Sequence, residues 1–150
     1  MRALLFALSL FTLFPALAQA DCYGDKCNVF VQISVNRNLL EVYENGQRIV
    51  QAPVTAPLTA YPIRLEKRFF GKLCSKDCIL FSSKFPVPGH RPYASFLSPE
   101  YYIYGSEDPD SDILYKESHF GFRTTLSAAE TINQLVRQYS AQNSWISVGR

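Results

Sequence analysis

The chain has 150 residues, of which 47% are hydrophobic, 19% are charged and 14% are aromatic, and its formal net charge is +2. This composition is too hydrophobic and too weakly charged for a disordered protein. So small a net charge gives no electrostatic footprint for nucleic acid. The length and composition predict a single globular domain. Four cysteines are unusual in so short a chain, and whether they pair depends on the cellular compartment.

The first 20 residues, MRALLFALSLFTLFPALAQA, are typical of a secretory signal peptide. Arg2 provides the positive start, residues 3–18 are almost wholly apolar, and Ala18-Gln19-Ala20 is a cleavage site of the A-x-A type. A membrane anchor is the alternative, but the apolar run is near the short end for a membrane span and Pro15 interrupts it. We therefore expect a secreted protein, in the periplasm of a bacterium, with no membrane association after cleavage.

Cleavage would leave a cysteine-containing segment at 21–28 and one domain at 29–150. Cysteines in an oxidising compartment are usually paired, and four cysteines allow three sets of pairs. The sets compete, and we favour the one that joins neighbours in sequence, Cys22 with Cys27 and Cys74 with Cys78.

A zinc site is the alternative use of these cysteines. The C-x4-C and C-x3-C spacings are poor for zinc, and only His90 and His119 are available as further ligands. We therefore expect no bound metal.

Most of the chain is predicted to form strands. Segments rich in β-branched and aromatic residues, bounded by turn residues, lie at 29–35, 39–44, 48–55, 63–70, 79–85, 101–104 and 145–148. Asn45-Gly46 predicts a type I′ hairpin turn, because both central positions of that turn need positive φ. A two-residue hairpin there would place Val42 opposite Ile49. Residues 86–89 (PVPG) are expected to break the chain, and residues 106–111 (SEDPDS) to form an acidic loop.

One helix is predicted near the C-terminus. Ser127 and Glu130 have the spacing of a capping box. The apolar residues that follow recur at i, i+3, i+4 and i+7, as on the buried face of an amphipathic helix; they are Ile132, Leu135, Val136 and Tyr139. The sequence therefore predicts a mainly β domain with one amphipathic helix packed on the sheet.

Several motifs follow one another in an order that is typical of one known family. Its L-x-V-Y-x-N-G segment corresponds to Leu40-Glu41-Val42-Tyr43-Glu44-Asn45-Gly46, and its T-P-T-G segment corresponds to Thr55-Ala56-Pro57-Leu58-Thr59-Ala60. Its M-P-Y segment corresponds to Arg91-Pro92-Tyr93, and its I-H-G-T segment corresponds to Ile103-Tyr104-Gly105-Ser106. Its S-H-G-C-I-R segment corresponds to Ser118-His119-Phe120-Gly121-Phe122-Arg123. On these segments the chain resembles the catalytic domain of the L,D-transpeptidases, the YkuD-like family, over about residues 29–148.

The resemblance implies an L,D-transpeptidase-like β-sandwich or barrel that carries a cysteine nucleophile and a histidine base. In the family, the cysteine attacks a peptide carbonyl of a peptidoglycan stem, and the amine of a second stem resolves the acyl-enzyme. A thiol suits this chemistry because its thiolate is accessible near neutral pH once a histidine assists.

The sequence departs from the family at both decisive positions. Gly121 stands at the cysteine position and Tyr104 at the histidine position, while Thr59-Ala60 replaces the usual T-G. Glycine has no side chain that can form an acyl intermediate. A tyrosine hydroxyl, with an ordinary pKa of about 10, is a poor base at neutral pH. We therefore expect the family chemistry to be lost.

The candidate catalytic remnants are Ser106, Ser118 and His119. Because side chains alternate along a strand, Ser118 and His119 are not expected to pair with each other, whereas Ser106 could reach His119 across the former site. Residues expected to contact a ligand are Tyr93, Tyr104, Gly105, Ser106, His119 and Arg123. Structural roles compete with these: a hydrogen-bonded core histidine, an ion pair of Arg123 with Glu117 or Glu130, and half-buried sheet tyrosines.

The leading hypothesis is a secreted, catalytically inactive domain that binds peptidoglycan stem peptides or an envelope protein, without a cofactor. One alternative is a peptidoglycan-modifying transferase or hydrolase with displaced catalytic residues. Another is a secreted adaptor or effector that binds a protein through its aromatic side chains and the acidic segment 107–112. An unrelated secreted β-sandwich or barrel would also account for the strands.

Overall fold

The computed structural model describes residues 22–57, 64–82, 85–99, 101–107 and 121–149, and only the backbone of residues 81, 82 and 85–88. The strands of these segments are β1 (Val29–Ser34), β2 (Leu39–Glu44), β3 (Gln47–Thr55), β4 (Leu65–Arg68), β5 (Ile79–Ser82), β6 (Phe85–His90), β7 (Ser95–Phe96), β8 (Tyr102–Ser106), β9 (Gly121–Thr125) and β10 (Ser144–Gly149). One α-helix, α1 (Leu126–Tyr139), lies between β9 and β10. The predicted segments 1–20, 59–60 and 108–120 lie outside the described residues.

Eight of the described strands form one sheet in the order β4-β10-β1-β2-β3-β9-β8-β7. Neighbouring strands are antiparallel, except that β1 pairs parallel with β10 and β8 pairs parallel with β9. For the described residues, the prediction of a mainly β architecture with one helix is confirmed.

Strands β1, β2 and β3 form the antiparallel centre of the sheet. Alternate residues of β1 are buried, as expected for a strand with one face in the core. Asn45 and Gly46 join β2 to β3 with φ of 50° and 81°, which are the two positive values that the type I′ turn requires. The hairpin and its turn are therefore as predicted.

The predicted pairing of Val42 with Ile49 is wrong. Val42 pairs with Val50, and Tyr43 pairs with Arg48, because the register shifts between Val42 and Tyr43. The irregularity places the extra residue Ile49 at a position that is 44% exposed. A bulge of this kind inserts one residue into one strand and increases the local twist.

The predicted break at residues 86–89 is also wrong. This segment belongs to β6, which pairs antiparallel with β5 in a separate two-stranded ribbon. Pro86 and Pro88 lack a backbone N–H, but they are two residues apart and therefore share one edge of the strand. Among the described residues β6 pairs only with β5, so the missing N–H groups interrupt no backbone pairing there.

Helix α1 follows β9 without a loop, and this changes its cap. Thr125 is the N-cap, with an extended backbone, and its Oγ1 accepts a hydrogen bond from the N–H of Ala128 at 3.3 Å. The predicted capping box of Ser127 and Glu130 is therefore wrong. The predicted apolar face of the helix is confirmed, because the buried face of α1 includes Ile132, Leu135 and Val136.

The main core lies between α1 and the sheet. It contains side chains from the central strands, from β8 and β9, and from the helix; its least exposed members include Val29, Val31, Leu40, Val42, Ile103, Phe122, Ile132 and Ile146. Within the part of the chain that the structure describes, no helix is long and apolar enough to cross a membrane.

Two disulfides, Cys22–Cys27 and Cys74–Cys78, join the four cysteines as predicted. They close loops with sequence separations of 5 and 4 residues. All cysteines of the sequence are therefore oxidised, and the zinc-site alternative has no thiolate to use.

The cap assignment is tested by two single substitutions. Thr125→Ala is expected to lower the free energy of unfolding by about 1 kcal/mol, because the Ala128 N–H loses its acceptor. Ser127→Ala is the matched control and should cost clearly less. Urea denaturation of both variants measures the difference, and a larger loss for Ser127→Ala would contradict the assignment.

Candidate functional site

The parallel pair of β8 and β9 brings together Tyr104 and Gly121, the two residues that the resemblance aligns with the family's histidine and cysteine. Tyr102 lies beside Gly121, and Tyr104 lies beside Arg123. Because side chains alternate, Ile103 and Phe122 face the main core while these four residues face the other side of the sheet. A second, smaller core lies on that side and contains Tyr104, Phe96, Ala94 and Cys78.

Gly121 is covered by two aromatic rings. A Cβ added at Gly121 would lie 2.6 Å from Cε2 of Tyr102 and 2.7 Å from Cε1 of Tyr104. Real Cβ atoms essentially never approach other heavy atoms so closely, so any side chain at this position requires the rings to move. The space beside Gly121 is therefore filled by the rings of β8.

The rings of Phe96, Tyr102 and Tyr104 form a continuous row, which we call the aromatic row. Their centroids are 5.3 Å apart between Phe96 and Tyr102, and 5.8 Å apart between Tyr102 and Tyr104, in tilted arrangements. Each end of the row carries a cation. The ammonium of Lys72 lies 4.4 Å from the Phe96 centroid, and the guanidinium of Arg91 lies 4.9 Å from that of Tyr104.

A cavity of about 390 Å³ opens beside Tyr104. This volume is within the usual range for small-molecule sites. Its lining comes from the disulfide loop, from the end of β6 and the residues after it, from β8, and from the first residue of α1; these residues are Lys76, His90, Arg91, Pro92, Tyr104, Gly105, Ser106, Glu107 and Leu126. Three predicted ligand-contacting residues, Tyr104, Gly105 and Ser106, are therefore together at one cavity.

Several solved structures that this chain resembles are L,D-transpeptidases. L,D-transpeptidase 1 of Mycobacterium tuberculosis is 12% identical, with a TM-score of 0.61 over 83% of this chain and 62% of that one. The L,D-transpeptidase of Stackebrandtia nassauensis is 16% identical, with a TM-score of 0.58 over 90% of this chain and 62% of that one.

The chain has the L,D-transpeptidase fold. A third similar structure is a fused Zn-dependent amidase, peptidase and peptidoglycan-binding domain-containing protein of Clostridium acetobutylicum. It is 13% identical, with a TM-score of 0.57, and the match covers 88% of this chain and 56% of that one. The chain thus spans about three fifths of the length of these structures. No model of a known protein family matches the sequence, and no curated protein is significantly similar to it.

The close packing of α1 on β8 explains why residue 105 is a glycine. A Cβ at this position would lie 2.9 Å from Cα of Leu126 and 3.2 Å from Cβ of Ala129, so the first turn of α1 packs directly on β8. The backbone of Gly105 is fixed further by its N–H, which donates to the carbonyl of Pro92 at 2.9 Å. Gly105 therefore lines the cavity as backbone and sets the distance between helix and sheet.

Tyr93 is held in a conformation that few side-chain-bearing residues adopt. Its φ is 55°, its N–H donates to the carbonyl of Ser75, and its hydroxyl donates to Oε1 of Glu130 at 2.9 Å. This hydrogen bond, together with burial and the negative charge of Glu130, raises the pKa of the Tyr93 phenol. The glutamate assigned from sequence to a capping box therefore anchors the segment after β6 to the helix.

Arg123, expected from sequence to contact a ligand, is 2% exposed and lies beside Tyr104 in the paired strands β8 and β9. Ser118 and His119 lie outside the described residues, as does the acidic segment except for Glu107. The proposed contact between Ser106 and His119 stays a prediction.

Sequence reasoning missed several residues around the cavity. In the sequence, Arg91 stands where the family's M-P-Y segment has methionine. This exchange of an apolar residue for a charged one was the available signal that Arg91 has a role at the cavity. Lys76 comes near His90 and Arg91 only after β5 and β6 have paired.

Asn133, another missed residue, is 3% exposed on α1. Its Nδ2 lies within hydrogen-bond distance of the carbonyls of Cys74 and Tyr93 and of Oγ of Ser95, at 3.0–3.3 Å. It fastens the disulfide loop to the helix.

The covering of Gly121 predicts a specific loss of stability. Gly121→Ala should lower the free energy of unfolding by about 1–3 kcal/mol, because the tyrosine rings must shift. Gly149→Ala is the matched control: it is also a glycine in a strand, and a Cβ there meets nothing within 4 Å. A change within about 0.5 kcal/mol is expected for the control. Equal losses in denaturant titrations would contradict the packing described.

The hydrogen bond from Tyr93 to Glu130 predicts how the pKa of the Tyr93 phenol responds to substitution of Glu130. The folded-state pKa of Tyr93 is raised above its ordinary value of 10.0, so the stabilising contact is present below pH 10 and is lost as pH rises through the folded-state pKa. Glu130→Gln should lower the pKa of Tyr93, whereas Asp25→Asn in the N-terminal segment should not. NMR titration of ¹³C-labelled tyrosine measures both, and an unchanged Tyr93 pKa in Glu130→Gln would refute the assignment.

Proposed function

We propose that the protein is a non-catalytic binding module of the cell envelope that holds peptidoglycan stem peptides. The observation that carries the proposal is the covering of Gly121 by the rings of Tyr102 and Tyr104. The resemblance to the family puts the nucleophilic cysteine at this position. With a glycine under two rings, no atom there can attack a carbonyl.

The state of the cysteines supports the same conclusion. All four are in disulfides, so the described fold offers no thiolate in place of the missing one. Acyl transfer by a cysteine requires the thiolate as nucleophile. The paired cysteines therefore support the proposal that this chain does not carry out the cysteine chemistry of the family.

The disulfides and the signal-like N-terminus support an extracytoplasmic location. Disulfides persist in oxidising compartments such as the bacterial periplasm. One structurally similar protein is described as containing a peptidoglycan-binding domain. The family that the sequence resembles, the L,D-transpeptidases, acts on peptidoglycan stem peptides. These observations together favour peptidoglycan as the partner.

The cavity beside Tyr104 is the proposed contact site. It has the size of a small-ligand site and places an aromatic ring, the hydroxyl of Ser106 and charged side chains around one space. A stem peptide presents both apolar methyl groups and charged groups, and a mixed lining of this kind complements them.

The proposal is tested by incubating the purified protein with defined muropeptides. We expect saturable binding and no change in muropeptide mass, whereas an active L,D-transpeptidase added to the same mixture should yield cross-linked product. A cross-linked, trimmed or stem-exchanged product from this protein alone would overturn the proposal.

A variant that fills the cavity locates the binding site. Glu107→Trp places a large side chain on an exposed residue of the cavity lining and should weaken muropeptide binding at least tenfold. Glu66→Trp, at an exposed residue of β4 at the opposite edge of the sheet, is the matched control. Equal affinities of the two variants in fluorescence titrations would place the contact elsewhere.

A second candidate function is an enzyme with a displaced nucleophile, and the position of Ser106 favours it. This serine is 8% exposed and lines the cavity. If mass spectrometry detects turnover of muropeptides, Ser106→Ala should abolish it, and persistent turnover in that variant would exclude Ser106 as the nucleophile.

A further inference from the structure

The cavity beside Tyr104 is lined by more positive than negative side chains. Lys76, Arg91 and His90 contribute basic groups, and Glu107 contributes the acidic one. Arg91 and Lys76 carry full positive charges at neutral pH. A ligand that enters this space therefore meets an excess of hydrogen-bond donors with positive charge.

Arg91 is the buried member of this group. It is 7% exposed, while Lys76 and His90 are exposed residues at the surface. One N–H of the Arg91 guanidinium donates to the carbonyl of His90 at 2.9 Å. A planar guanidinium presents five N–H donors in a fixed fork that matches a carboxylate.

The guanidinium is held from two sides. The ring of Tyr104 lies on one side, with 4.9 Å between its centroid and the central carbon of the guanidinium. Gly89 lies close as well, since a Cβ there would be 2.6 Å from Nη1 of Arg91. A side chain at residue 89 would therefore require the guanidinium to shift from this position. Because the group is already ordered, binding a ligand costs little further side-chain entropy.

The start of α1 adds to the positive potential. Leu126, the first residue of the helix, lines the cavity. The N-terminal end of a helix carries a partial positive charge that favours anions nearby. This contribution supports the arginine and does not replace it.

We infer that this cavity binds the carboxylate of a small ligand, with the guanidinium of Arg91 as the anchor and the ammonium of Lys76 as a second, exposed cation. The inference deepens the proposed function and rests on it for the source of the carboxylate, the end of a stem peptide. Glu107 opposes the binding of a simple anion, because it brings a like charge to the same space.

The test uses N-acetyl-D-alanine as the probe and N-acetyl-D-alaninamide as the neutral comparison. ¹⁵N-detected NMR of the arginine Nε–H groups reports contact at Arg91 in the full secreted protein. We expect a saturable shift of the Arg91 signal with the acid and none with the amide. Equal responses to the acid and the amide would overturn the inference, as would a response to inorganic phosphate alone.

Single substitutions distinguish a specific contact with Arg91 from a general effect of positive charge on binding. Arg91→Gln should weaken binding of N-acetyl-D-alanine at least tenfold, because a charge-assisted bidentate contact is lost. Lys76→Gln should weaken it about threefold, as expected for an exposed ion pair. The matched control is Lys72→Gln, an exposed lysine that lies over Phe96 and should leave the affinity unchanged. Glu107→Gln should strengthen binding about threefold.

Since Arg91 is buried, its replacement can impair folding, and the exposed residues keep the test decisive. Identical affinities of the Lys76→Gln, Lys72→Gln and Glu107→Gln variants would refute the inference without reference to Arg91. Binding of the acid with no binding of muropeptides would refute the proposed function alone. Binding of muropeptides with no response to the acid would refute this inference alone.

Discussion

Strands β8 and β9 run parallel, with Tyr102 beside Gly121 and Tyr104 beside Arg123. This register determines which side chains lie over residue 121 and which enter the main core. The rings of the two tyrosines need the space over residue 121, and only a glycine leaves it. The same register directs Phe122 into the main core on the other face, so neither strand can shift by one residue without reversing both faces.

Around this pair the protein is assembled from segments that are distant in sequence. Gly105 allows the helix to pack closely on β8, and Asn133 on that helix binds the loop of the Cys74–Cys78 disulfide. The disulfide loop and the end of β6 then place Lys76 and Arg91 at the cavity. The cavity thus depends on three features: the glycine at residue 105, the hydrogen bonds of Asn133, and the Cys74–Cys78 disulfide.

The features that the sequence predicted well are those with local causes. The Asn45-Gly46 turn requires only positive φ at two adjacent residues, and the apolar face of α1 follows from its periodicity. The helix cap was missed because β9 runs directly into α1, which makes the last strand residue the cap. The register shift at Val42 has no signature in the residues themselves, since it depends on how the two strands pair. Most of the cavity was beyond prediction for a related reason: Arg91 meets Tyr104 only through the tertiary fold.

The cover over Gly121 also bears on how such a domain can evolve. At an open position, a glycine is exchanged for a functional side chain by a single substitution. Here Gly121→Cys would bring its Cβ against two packed rings, so the rings must shift or a tyrosine must be replaced as well. A chain with only one of these changes has either a clash or an unfilled space in the second core, and both lower stability. The two tyrosines therefore restrict which substitutions residue 121 tolerates, and they make its glycine easier to keep than to replace.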